Sequence, residues 1–190
     1  MGAKKYCDFR VIPQHDFEMD NAFIVGKMME LVHLSLHHFP CRVCVSFPDS
    51  QGSDIGGIVR LHGSEDELKL VLGGGVEDGL EDYFSFSGIL GVPSDIKGYR
   101  NVRRVQPKSS PARIRRRLVR RHNISEEEAI RRWPDSRRQM LDLPFFLINS
   151  RSTGQSNIRF FVEHSDFRPE QTDGHVSSYG LSREMTVPVW

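Results

Sequence analysis

The chain has 190 residues, of which 38% are hydrophobic and 27% charged, enough apolar material for one large or two small domains. No segment approaches the roughly 20 apolar residues that a bilayer span requires, and no N-terminal run has the make-up of a signal peptide, so a soluble, cytoplasmic protein without a membrane partner is expected. The formal charge of +1 is an average over unlike surfaces. Residues 96 to 125 hold eleven Lys and Arg and no acid, which leaves fifteen basic against 25 acidic residues elsewhere and points to a polyanion partner.

From Lys5 to Ile12 the residues alternate, with Cys7, Phe9 and Val11 on one face, which predicts a strand. Asp20 then caps a helix from Ala22 to about His38, ended by Pro40; Gly26, Glu30, His33 and His37 share its polar face. Arg42 to Phe47 and Gly57 to Leu61 read as the second and third strands. Ser64 and Glu67 form a capping box for a second helix, and Tyr83 to Val92 is expected as a fourth strand. The order β-α-β-β-α-β is that of a ferredoxin-like domain over residues 1–98, within an α+β fold.

Residues 99–190 form the expected second domain. Ser110-Pro111 starts a helix on which Arg113, Arg116, Arg117, Arg120 and Arg121 fall within an arc of about 140°, with Ile114 and Leu118 on the neighbouring flank. Five like charges on one face repel unless a polyanion neutralises them, and planar guanidinium groups suit phosphates and guanine edges. Ser125 and Glu128 read as a further capping box, and a stop falls at Trp133-Pro134. Phe145 to Ser150 and Ile158 to His164 read as a hairpin turning on Thr153-Gly154-Gln155. The apolar end, Val187 to Trp190, is expected to pack on this second domain.

Cys7, Cys41 and Cys44 are odd in number, which argues against a disulfide framework. Cys41-x-x-Cys44, with His37 and His38 upstream, has zinc-like spacing. On a strand, however, positions three apart face opposite sides, so no metal or cofactor is expected.

Arg103-Arg104-Val105-Gln106-Pro107-Lys108-Ser109-Ser110-Pro111, the arginine run and Ser125-Glu126-Glu127-Glu128-Ala129 together resemble one family, the type I-F CRISPR repeat-processing endoribonucleases of the Csy type. Val45 to Asp49, Leu141 to Phe145, Ser150 to Gln155 and Tyr179-Gly180-Leu181-Ser182 add to the likeness in family order over nearly the whole chain. The resemblance implies that the arginine helix lies in the major groove of a CRISPR repeat RNA hairpin, with Arg117, Arg120 and Arg121 on phosphates, Arg113, Arg116 and Lys108 beside them, and Arg104 and Gln106 reading base edges low in the stem. It also implies other subunits of a type I-F surveillance complex as partners.

The family cuts without metal, directing a 2′-hydroxyl onto the adjacent phosphate. Leu31-Val32-His33-Leu34-Ser35-Leu36 resembles the helix around the family's histidine, which makes His33 the expected base; histidine titrates near neutrality and suits that task. Counting from Gly26-Lys27 instead places Met29 there, and His37, one turn on, is the second histidine candidate. Ser150 matches the serine that orients the 2′-hydroxyl, and Tyr179 a tyrosine beside the site. Ser152 and Thr153 are implied to hold the scissile backbone. Arg159 matches a family arginine, but Ile158 stands where the family has an aromatic ring under the terminal base pair.

Overall fold

A computed structural model describes residues 5–13, 20–76, 80–107, 111–137, 141–150 and 155–190. The fold is α+β, built from helices and antiparallel sheets. It divides into two compact units, one of Met1–Val105 with Leu143–Trp190 and one of Gln106–Asp142.

In the first unit, β1 (Lys5–Val11) lies between β3 (Ile58–Gly63) and a pair of short strands, β4 (Phe84–Phe86) and β5 (Leu90–Gly91), while β2 (Cys44–Ser46) flanks β3. All these pairings are antiparallel, and the order is β2-β3-β1-β4. Helices α1 (Asn21–His38) and α2 (Glu65–Val71) bury apolar residues in one core with Cys7, Phe9, Val59 and Leu61. Their start signals act as the sequence indicates: Asp20 accepts the Ala22 amide at 3.0 Å, and Ser64 and Glu67 make the reciprocal capping box.

The expected single strand from Tyr83 to Val92 is two strands. At the break Ser87 turns to Asp8, accepting its amide on Oγ at 2.8 Å and donating its own amide to the Asp8 carbonyl at 3.0 Å, while Gly88 adopts a φ of 75° that takes the chain out of the ladder.

Beyond this sheet, β6 (Gly98–Arg100) pairs with β10 (Val187–Val189), and β7 (Val102–Val105) joins the hairpin β8 (Phe145–Ser150) and β9 (Gln155–His164) in the order β7-β9-β8. The terminal Trp190 does not pack where the sequence predicted. It covers the first sheet on the face opposite Cys7 and Phe9, its ring 4.8 Å from Tyr6 and 4.0 Å from the Arg60 guanidinium, which Asp8 holds through two bonds of 2.7 and 2.8 Å. A cation already desolvated by its carboxylate partner gives the indole a better seat than an aliphatic surface.

In the second unit α3 (Pro111–His122) is followed by α4 (Glu126–Arg132). Ser125 caps α4 by accepting the Glu128 amide, but the Glu128 carboxylate holds Arg131 at 2.6 Å and Arg132 at 2.9 Å rather than completing a box. Arg115 pairs with Asp135.

Candidate functional site

The Gly26 and Glu30 end of the expected polar face of α1 packs against β8. Gly26 lies so close to the strand that a Cβ there would collide with the Leu147 carbonyl, and Glu30 accepts the Asn149 amide on Oε1 at 2.8 Å. One turn further along the same face stands His33. Its Nδ1 lies 3.1 Å from the Ser178 carbonyl, which can only accept, so Nδ1 carries the proton of the neutral ring and the Nε2 lone pair is left to take another.

The ring is held in plane as well as in tautomer. Tyr179 stacks on it with centroids 4.1 Å apart and planes 5° from parallel. The Tyr179 loop is tied down by the next residue: the Val45 amide donates to the Gly180 carbonyl at 2.8 Å, closing the β2 edge. Gly180 is required there twice over, by its φ of 69° and because a Cβ would strike Val45. His37 is exposed, with its ring 6.3 Å from that of His33, and Met29 is buried in the core.

Behind Tyr179 the aromatic contact continues. Phe160 of β9 lies 4.8 Å from the tyrosine ring, and the Arg104 guanidinium of β7 rests 4.3 Å over Phe160. Desolvation against that ring pulls the Arg104 pKa down, with Tyr179 opposing. Burial pushes the Tyr179 hydroxyl above its ordinary value; Arg104 works against the rise and Glu30 adds to it.

The hairpin narrows irregularly beside this cluster. Ile148 faces Ile158 and Ser150 faces Gln155, so Asn149 alone opposes Ser156 and Asn157. Asn157 takes a φ of 55°, and its amide donates to Asn149 Oδ1 at 3.1 Å. Ile158 packs partly into the core, and Arg159 lies 4.6 Å over the Phe145 ring.

The second unit presents charge rather than chemistry. Arg113, Arg116, Arg117, Arg120 and Arg121 are exposed and line one groove of about 480 Å³ along α3, while Ile114 and Leu118 are half-buried. Among the described residues no carboxylate pairs with Arg116, Arg117, Arg120 or Arg121; the neighbouring acid Glu128 is committed to its own helix.

Residues 6–190 match the sequence profile of the CRISPR-associated protein family Cas_Csy4. This chain belongs to that family. It is 39% identical to the CRISPR-associated endonuclease Cas6/Csy4 of Pseudomonas aeruginosa (strain UCBPP-PA14) over 190 residues, covering 96% of this chain and 97% of that protein. It is 37% identical to the protein of the same name from Escherichia coli (strain UTI89 / UPEC) over 185 residues, with the same coverage.

Of the residues singled out in the sequence, the structure brings together His33, Tyr179 and Arg104, and sets Ser150 at the end of β8. Gln106 is exposed between β7 and α3. Lys108, Ser152 and Thr153 lie outside the described residues, as do Ser110 and the hairpin turn. Sequence reasoning gave no role to Glu30 or Asn149. The signal for Glu30 was its place between Gly26 and His33 on one helical face, where a glycine marks close approach of another backbone.

Among the described residues no group of three or more His, Cys, Asp or Glu is placed to hold a metal ion, and no helix is long and apolar enough to cross a membrane. Cys44 is buried, its thiol pushed up to about 12 by burial, and burial also raises Cys41, so neither has the thiolate character of a reactive cysteine.

Proposed function

We propose that this chain is a cytoplasmic, metal-independent endoribonuclease that recognises the stem-loop of CRISPR repeat RNA. It cuts precursor RNA at the base of the stem and stays on the processed guide RNA with the other subunits of a type I-F surveillance complex. Family membership supports the substrate class, and the arginine groove of α3 supports a folded polyanion. The strand order β2-β3-β1-β4 with two helices supports a ferredoxin-like frame over residues 1–98, followed by an RNA-binding part over 99–190.

The observation that carries the chemistry is the orientation of His33. A proton fixed on Nδ1 and a ring plane fixed by Tyr179 leave Nε2 as a base of defined direction, and Ser150 ends the strand against which α1 packs. In the proposed cut Nε2 takes the 2′-hydroxyl proton, the 2′-oxygen attacks the adjacent phosphorus, the P–O5′ bond breaks, and the departing 5′-oxygen takes a proton from water while the imidazolium returns its own to solvent. The products are a 2′,3′-cyclic phosphate and a 5′-hydroxyl. Ser150 orients the 2′-hydroxyl, and Ser152 and Thr153 hold the scissile backbone. Arg104 and Gln106 read bases low in the stem, with Lys108, Arg113, Arg116, Arg117, Arg120 and Arg121 on phosphates and Ile158 and Arg159 at the stem end.

The deciding experiment incubates the protein with repeat RNA in EDTA, alongside the same RNA carrying a 2′-deoxynucleotide at the scissile position. The expected result is full cleavage of the first, with cyclic phosphate ends, and none of the second. Cleavage of the deoxy RNA, or cleavage abolished by EDTA, overturns the mechanism. Tight binding without cleavage of either RNA leaves an RNA-hairpin-binding structural subunit as the function.

A further inference from the structure

Helix α1 and strand β8 run side by side in the same direction and meet at two successive points. Gly26 abuts the Leu147 carbonyl, and four residues later Glu30 takes the amide of Asn149, two residues further along the strand. The spacings agree: four helical residues rise about 6 Å and two strand residues about 6.6 Å. Three more helical residues add about 4.5 Å and bring the His33 backbone level with a strand position just past Asn149, which is Ser150.

Among the described residues Glu30 makes the hydrogen-bonded tie between the two elements just before that level. The Asn149 amide stands at the hairpin irregularity, where the regular ladder between β8 and β9 is interrupted, and the carboxylate supplies the acceptor. The tie extends across the hairpin, because Asn149 Oδ1 holds the amide of Asn157, whose left-handed backbone leads into Ile158. The second carboxylate oxygen faces Lys27 at 3.5 Å, a half-buried contact that leaves Oε1 on the strand.

We infer that Glu30 is a positioning residue for RNA cleavage: by holding the Asn149 amide it sets the height of Ser150 against His33. This inference rests on the assignment of His33 and Ser150 to the cut. Glu30 does not touch the reacting atoms; its effect is on the separation of the two groups that do, and a misplacement of about 1 Å at such a pair can lower a rate on the order of 100-fold.

The test separates hydrogen-bond geometry from charge. Single-turnover cleavage of repeat RNA at saturating protein is measured for Glu30→Ala, Glu30→Gln and Glu30→Asp, with Kd taken from the 2′-deoxy RNA and folding followed by urea midpoint. Glu30→Ala is expected to cut about 10- to 100-fold more slowly with Kd within about twofold of wild type. Glu30→Gln keeps an acceptor at the same reach and is expected within about fivefold of wild type. Glu30→Asp keeps the charge but withdraws the oxygen by one methylene, and is expected to be as slow as Glu30→Ala.

The reverse order, with Asp fast and Gln slow, overturns the inference in favour of a charge effect. Wild-type rates in all three, or a loss carried entirely by Kd, also overturn it. His33→Ala on the same RNA tells the two levels apart. If it cuts at the wild-type rate, the assignment of the base falls and the inference with it; if it is inactive while Glu30→Ala is not, only the inference falls.

Discussion

The rings of His33, on helix α1, and Tyr179, in a loop far along the chain, lie face to face, 4.1 Å apart and within 5° of parallel. A hydroxyl is not needed for such a stack; an aromatic face is. His33→Ala is therefore expected to lower single-turnover cleavage about 10²- to 10⁴-fold with RNA affinity retained, the range for loss of a general base. Tyr179→Ala is expected to cost more than Tyr179→Phe, since phenylalanine keeps the face that holds the imidazole. A wild-type rate in His33→Ala moves the role to His37, and equal losses in the two Tyr179 variants show that the hydroxyl, not the stack, is what matters.

The arginine face of α3, proposed to lie on phosphates, calls for a different measurement, because such contacts report through salt rather than rate. Each phosphate neutralised releases counterions, so the slope of log Kd against log salt is expected to flatten by about one unit for each of Arg117→Ala, Arg120→Ala and Arg121→Ala. Cleavage of RNA already bound should change little. Arg115→Ala serves as the contrast: Arg115 is tied to Asp135, and its loss is expected to leave the salt slope unchanged. Equal flattening by Arg115→Ala would show a general charge effect instead of a built groove.

What was legible in the sequence was local. The Asp20 cap, the Ser64-Glu67 box and the alternation of β1 are each decided within a few residues, and each stands where the pattern put it. The packing of α1 was not local: the tie from Glu30 to Asn149 spans 119 residues, and a glutamate on a polar helical face is indistinguishable in sequence from one facing water. The same limit explains Trp190, whose seat on Arg60 and Tyr6 depends on a sheet formed at the other end of the chain. At the candidate site, family likeness pointed to His33 and Tyr179, while their stacking and the contact of Nδ1 with the Ser178 carbonyl came only with the fold.

Two histidines outside the site make the first unit sensitive to acid. His62 is fully buried, with Nε2 at 2.8 Å from Ser46 Oγ and no hydrogen-bond partner for Nδ1 among the described residues. Burial, reinforced by Arg60 and Arg100, pushes its pKa down to about 3. His164 is driven down to about 4, by burial and then by Arg100. In the unfolded chain both titrate near 6.5, so below that pH the unfolded state binds protons that the folded state refuses. Stability is thus complete above about pH 6.5 and drains as pH falls toward 4, at about 1.4 kcal/mol per unit for each histidine. The urea midpoint is expected to be clearly lower at pH 5 than at pH 7, and the difference to shrink in His62→Gln and further in the double variant with His164→Gln. A pH difference of undiminished size in the double variant would place the acid sensitivity in other groups.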